Sequence, residues 1–171
     1  MTKAIGAILL ILGTSAWGLL GVTRLRRRCR ILAELARALG ALRAELVTRL
    51  EPVPQLISLL SSRTREPVAS LFRNVEARLP QLGETSFYDI WGQAVTATPE
   101  LLLEPEEQRE LREVPRALGR YDVEEQRVAL ERAERRFEEF SRRADEKRDA
   151  DSKTRACIGV AAGVFLALIL I

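Results

Sequence analysis

Histidine is absent from this 171-residue chain. That excludes a His-dependent catalytic triad, a His-ligated metal and a histidine pH switch. Cysteine occurs twice, as Cys29 and Cys157, at opposite ends. Two such residues make neither a disulfide scaffold nor a four-cysteine zinc site. Aromatic side chains are 5% of the total, too few for a base-stacking platform. Lysine is nearly missing, with 3 Lys against 24 Arg, a balance that reads first as a G+C-rich genome. The net charge of +3 does not point to nucleic acid without a clustered patch. Neither a GxxxxGK-Ser/Thr run nor a GxGxxG occurs, so no phosphate-cradling loop is indicated.

What is present is strongly segregated. Apolar residues gather at the ends and charges fill the middle. Ala4 to Val22 contains no charge. At 1.5 Å per residue it spans about 28 Å, close to the ~30 Å of a hydrocarbon core. Trp17 lies near its end, where aromatic residues anchor at an interface. A cleaved signal peptide is the rival reading, from Lys3 and the small residues Thr14, Ser15 and Ala16. The block Arg24, Arg26, Arg27, Arg28 and Arg30 argues against it, because such a block resists translocation. Ala156 to Ile171 is a second uncharged run, about 24 Å as a helix. Lys147, Arg148, Lys153 and Arg155 precede it. The expected organisation is an N-terminal transmembrane anchor (1–23), a cytoplasmic helical bundle (24–155) and a C-terminal transmembrane anchor (156–171). Gly159 and Gly163 form a GxxxG there, either a helix-packing face or the chance product of a Gly/Ala-rich run. The arginine block marks the cytoplasmic side, with or without a further contact to anionic lipid.

No segment alternates with period two, so no strands are expected. Leu32, Leu35, Leu39, Leu42 and Leu46 step by three and four, a heptad seam that ends at Pro52 and Pro54. Gly40 interrupts that helix at a cost of about 1 kcal/mol relative to Ala. Short helices follow: Pro54 to Ser61, then one from Pro67 with the face Val68, Leu71, Phe72, Val75 and Leu79. Ser86 with Asp89 caps a helix carrying Phe87, Ile90, Trp91, Ala94 and Val95. Pro105 opens another with Leu111, Val114 and Leu118, kinked at Pro115 and stopped by Gly119. Asp122 and Glu125 open the last helix, whose seam is Val123, Gln126, Leu130, Ala133, Phe137, Phe140 and Ala144. Counting outward from the two anchors brings Leu32 near Ala144, Leu39 near Phe137 and Leu46 near Leu130. The expected fold is all-α: an antiparallel bundle of about five to six helices with a coiled-coil-like stalk, flanked by transmembrane helices.

Chemistry has little to work with. The acidic pairs Glu106-Glu107, Glu124-Glu125 and Glu138-Glu139 read as solvated faces salt-linked to arginines. Cys29 reads as a free thiol, or as an acylation site at a membrane border. Gln126 in an apolar seam either fixes register or ends the seam in water. No catalytic residue, cofactor or metal ligand is expected. The residues describe a platform or adaptor.

The order of parts resembles a known family. A short apolar start leads into arginines, a Leu-rich helix with Glu45, and Pro52-x-Pro54. Then come Trp91-Gly92-Gln93-Ala94-Val95 and Ala117-Leu118-Gly119-Arg120-Tyr121-Asp122 with Gln126, and a long charged helix into an apolar end. This is similar to stage III sporulation protein AB of endospore-forming bacteria, over essentially the whole chain. Pro115 departs from the smoother helix usual there. The resemblance implies a non-enzymatic part of the sporulation channel complex between mother cell and forespore. It implies a place in the mother-cell membrane, with a domain like the platform proteins of type II secretion and type IV pilus machines. It implies coupling of a secretion-type ATPase to membrane rings. The lipid bilayer and further copies of the chain are the other expected contacts. A helical adaptor or regulator unconnected to an ATPase is the alternative. Leu118, Gly119, Asp122 and Gln126, and the Pro52–Pro54 elbow with the loop before Ser86, are the candidate partner contacts. The same residues can equally be turns that only shape the bundle.

Overall fold

The computed structural model describes residues 24–46, 52–118 and 122–170, with side chains through residue 150. These residues form α1 (24–46), α2 (Val53–Arg63), α3 (Val68–Glu76), α4 (Phe87–Thr96), α5 (Pro105–Leu118) and α6 (Val123–Leu170). Short 3-10 turns at Leu79–Gln81 and Pro99–Leu101 join neighbours. Among the described residues extended structure is limited to one isolated bridge, Leu82 to Thr85. The chain divides into two compact units: Arg30–Ser141, and Met1–Cys29 with Arg142–Ile171.

In the larger unit the leucine seam of α1 is buried from Leu32 to Leu46. On α6, Leu130, Ala133, Phe137 and Phe140 are buried as well. Arg43 Nε donates to Glu134 Oε2 at 2.9 Å across the two helices. Those residues fall between the expected pairs Leu39–Phe137 and Leu46–Leu130, so the register is the expected one. The pair also explains Gly40. A Cβ there would collide with the Glu134 carboxylate, which occupies the space a side chain would take. Glycine costs helix propensity at this position but lets the acid reach Arg43.

Capping fixes the short helices. Ser86 Oγ accepts from the Asp89 N–H at 3.1 Å and donates to the Asp89 carboxylate. Glu107, expected on a solvated face, is instead 3% exposed. Its Oε2 accepts the Glu104 N–H at 2.7 Å, the returning half of a capping arrangement at the start of α5. Side chains then tie helix to helix. Ser61 donates to Glu76 between α2 and α3, and the Arg65 N–H reaches Glu34 on α1. Asn74 on α3 donates to Thr98, whose own hydroxyl is bound to the Ala94 carbonyl. Arg136 on α6 reaches Glu106 on α5 at 2.5 Å.

Pro115 does not stop α5, which runs unbroken to Leu118. A proline has no N–H, so the Leu111 carbonyl four residues earlier loses its helical donor. Trp91 of α4 replaces it: its indole Nε1 donates to that carbonyl at 2.7 Å. The ring is fully buried, edge-on to Phe72 with centroids 6.0 Å apart, and 6.1 Å from Phe87.

In the smaller unit, Cys29 is buried and its thiol donates to Asp145. Burial and that carboxylate push the thiol above its ordinary value.

One part of the expected architecture is corrected. Among the described residues no helix is long and apolar enough to cross a membrane. The expected C-terminal transmembrane helix therefore does not stand, nor does the two-pass placement in the mother-cell membrane that needs it. The physical reason at the C-terminal end is length. The run Ala156 to Ile171 spans about 24 Å against ~30 Å of hydrocarbon, and Asp151, Lys153 and Arg155 occupy the turns that would extend it. The other expected anchor, 1–23, lies outside the described residues. Gly159 and Gly163 lie outside those whose side chains are described.

Replacing Trp91 with Phe keeps the ring contacts but leaves the buried Leu111 carbonyl without a donor. The expected cost is about 1–3 kcal/mol of unfolding free energy. Pro115→Ala returns a local donor, so the W91F penalty measured in that background by urea titration should shrink. Equal penalties in both backgrounds would show the two residues to be uncoupled.

Candidate functional site

Two grooves lie side by side on the larger unit, sharing Tyr88 as a wall. The first is apolar, about 350 Å³, and lined by Val53, Pro54, Leu79, Leu82, Phe87, Tyr88, Pro115 and Leu118. It gathers the start of α2, the turn before α4, the first turn of α4 and the last turn of α5. Each wall has a local cause. Pro54 stands in the first turn of α2, where a missing N–H costs nothing. Leu82 is 51% exposed, an unusual position for leucine in a polar turn. Gly83 holds it there: its φ of 114° is a conformation that favours glycine. The Glu84 and Thr85 N–H groups both return to the Gln81 carbonyl and close that turn. Pro115 and Leu118 are set by the Trp91 bond that holds α5 against α4.

The second groove is polar, about 880 Å³ and more open. Arg78, Ser86, Asp89, Gln93, Thr96 and Arg112 are among its walls. Arg112 Nη2 donates to Thr96 Oγ1 at 2.6 Å, while its Nε is buried without a partner. Arg78 Nη1 donates to the Asn74 carbonyl at 2.7 Å. Beside the shared wall, the Arg116 guanidinium lies over the Tyr88 ring, 4.8 Å from its centroid. Arg116 also pairs with Glu113, which accepts from the Tyr88 hydroxyl at 3.0 Å.

The candidate residues divide between these surfaces and the scaffold. Pro54 and Leu118 meet in the apolar groove, and the loop before Ser86 joins them through Leu82. Pro52 is exposed at the start of α2, and its carbonyl accepts from Gln55 and Leu56. Asp122 and Gln126 are used in shaping the bundle. Asp122 Oδ1 accepts the Glu124 N–H at 2.8 Å, and Gln126 Nε2 donates to the Leu118 carbonyl at 3.3 Å. Gly119 lies outside the described residues. Of the basic block, Arg24, Arg26, Arg27 and Arg30 are exposed and Arg28 is half-buried. The apolar periodicity assigned Leu79 and Phe87 to core faces, yet both line the groove. Arg78 and Arg112 carried no signal in the sequence. A leucine beside a glycine in a polar turn was the available signal for Leu82.

The comparisons settle the family. The profile of stage III sporulation protein AB matches residues 3–171. The chain belongs to the stage III sporulation protein AB family. A solved structure titled stage III sporulation protein AB (SpoIIIAB) has the same fold, with a TM-score of 0.65 and 22% identity. The likeness covers 72% of this chain and 97% of that one. A search of curated proteins finds no match. Members of the family are scaffold components of sporulation, and the chain is non-enzymatic. Among the described residues no cluster of His, Cys, Asp and Glu is arranged to hold a metal ion.

Asp122→Ala removes the acceptor that caps α6. Thermal or urea unfolding should show a loss of about 1 kcal/mol, and Asp122→Asn should recover most of it. An unchanged midpoint in the alanine variant would return Asp122 to the list of partner contacts.

Proposed function

We propose that this chain is the adaptor through which a secretion-type ATPase engages the other components of the sporulation channel complex. The apolar groove is the contact. The observation that carries this reading is the convergence of Pro54, Leu82 and Leu118 on one open apolar surface. Turn residues that only shaped a bundle would bury their apolar side chains, whereas Leu82 is held half in solvent. A clustered apolar surface of this kind is what a transient protein contact uses. The groove's walls belong to packed helices rather than to a free loop, so a pull on the bound partner is passed to α4 and α5 together. That suits an adaptor between a moving ATPase and a fixed assembly.

Purified full-length chain and the complex's ATPase should bind each other, read by biolayer interferometry. Leu82→Asp should weaken binding at least about tenfold, since burying a leucine is worth ~1.5–3 kcal/mol. Val128→Asp, an exposed apolar position on α6, is the control and should bind as wild type. Both positions are exposed, so neither variant should melt earlier. Wild-type binding by L82D, or none by the unmodified chain, would remove the ATPase from this groove.

A further inference from the structure

We propose that the apolar groove takes one amphipathic helix of a partner protein, anchored by apolar side chains at its positions i, i+4 and i+7. The inference rests on the groove meeting a partner, as proposed above, and adds the conformation that partner must adopt there. It does not depend on the partner being the ATPase.

Size narrows the occupant first. Eight described residues make the walls. A stable contact between two folded surfaces takes about 20–30 residues a side. The groove by itself is too small to hold a second copy of the chain or another folded face, and it suits a single segment. Its volume is about 350 Å³. At ~30 Å³ for each water-sized group, that is room for about a dozen non-hydrogen atoms, the content of three leucine side chains.

The walls do not match an extended segment. A strand added to a protein needs an edge that alternates donors and acceptors. Among the described residues the groove has no such edge, since its walls are the starts of α2 and α4, the end of α5 and the turn from Leu79 to Leu82. In that turn the Leu82 N–H returns to the Leu79 carbonyl, and the Glu84 and Thr85 N–H groups return to Gln81. On the opposite side the Leu118 carbonyl is taken by Gln126. A polyproline segment has no internal hydrogen bonds and needs donors for its carbonyls. Among the described wall residues the side-chain donor is the Tyr88 hydroxyl, and it is already given to Glu113. Pro54 and Pro115 carry no N–H. The N–H groups left over at the first turns of α2 and α4 belong to two separate helix starts and do not form a row. An extended chain here would lose water from its backbone without gaining partners.

A helix meets these terms. It satisfies its own backbone and offers only side chains to the walls. Its residues at i, i+4 and i+7 lie on one face, with neighbours about 5–6 Å apart, so three apolar side chains enter one continuous trough. Leu82 and Pro54 are the exposed walls between which it lies.

The test places p-benzoylphenylalanine at Leu82 in the full chain, in sporulating cells, and maps the photo-crosslinked segment by mass spectrometry. A synthetic peptide of that segment is then titrated against the purified full chain. Its far-ultraviolet circular dichroism should gain helix on binding. Alanine at each of the three apolar anchors should weaken binding at least about tenfold. Proline at a polar position between them should do the same by interrupting the helix. Pro54→Glu puts a charge into the far wall at an exposed position, and should cut crosslink yield and peptide affinity at least about tenfold. The crosslinker at Val128 should not capture this segment. An apolar pattern of period two, no gain of helix, a tolerated proline, indifference to Pro54→Glu, or a peptide that does not bind would each overturn the proposal. So would a crosslink to a second copy of the chain, or none. A helix from a protein other than the ATPase would support it and remove the ATPase reading. The ATPase captured through an extended segment would do the reverse.

Discussion

The hydrogen bond from Trp91 to the Leu111 carbonyl organises the grooved face of the larger unit. A proline in the last turns of a helix creates a missing donor. In a buried helix that carbonyl would be costly to leave alone. Here the donor comes from a different helix, so a local defect in α5 becomes a fixed attachment to α4. Trp91 is wedged between Phe72 and Phe87, so α3 is included in the same attachment. The positions of Phe87, Tyr88, Pro115 and Leu118 all follow from it. These are half of the walls of the apolar groove.

The long helices follow a different logic. Their seam is leucine against leucine and phenylalanine, which sets affinity between helices but specifies register weakly. Polar contacts supply the register. Arg43 meets Glu134, and Arg136 ties α6 to Glu106 on α5. Along the outer face Arg127 and Arg135 grip Glu131 from either side. The Arg135 hydrogen bond, more than the charge of Arg127, holds the Glu131 carboxyl below its ordinary value. Exposed pairs of this kind add little stability each. Lying within α6, they support that helix and have no part in its register.

Much of this was legible in the residues. Helix boundaries followed from prolines and caps, because these act within one turn and need no tertiary information. Ser86 and Asp122 cap the helices they were expected to open. The antiparallel register came from counting outward from the two apolar ends, and the Arg43–Glu134 contact falls between the pairs that count gives. Family membership was legible from the order of motifs. The transmembrane flanks rested on two uncharged runs and the basic residues beside them; at the C-terminal end the run reaches only about 24 Å of the ~30 Å core, with Asp151, Lys153 and Arg155 in the turns before it. The grooves were half legible: Pro54, Leu118 and the loop before Ser86 were candidates. Arg78, Arg112 and Tyr88 were not, since which side chains line a groove is settled only once the helices are placed. Glu107 was misread for a related reason, because a capping glutamate and a solvated one look alike until burial is known.

Gly40 makes two other positions depend on it. The space its missing side chain leaves is occupied by the Glu134 carboxylate, and that carboxylate is held by Arg43. A side chain at 40 would push the end of the Glu134 side chain aside, and the contact with Arg43 would have to re-form around it. The three positions are thus coupled across two helices, and the cost of changing one depends on the residues at the other two.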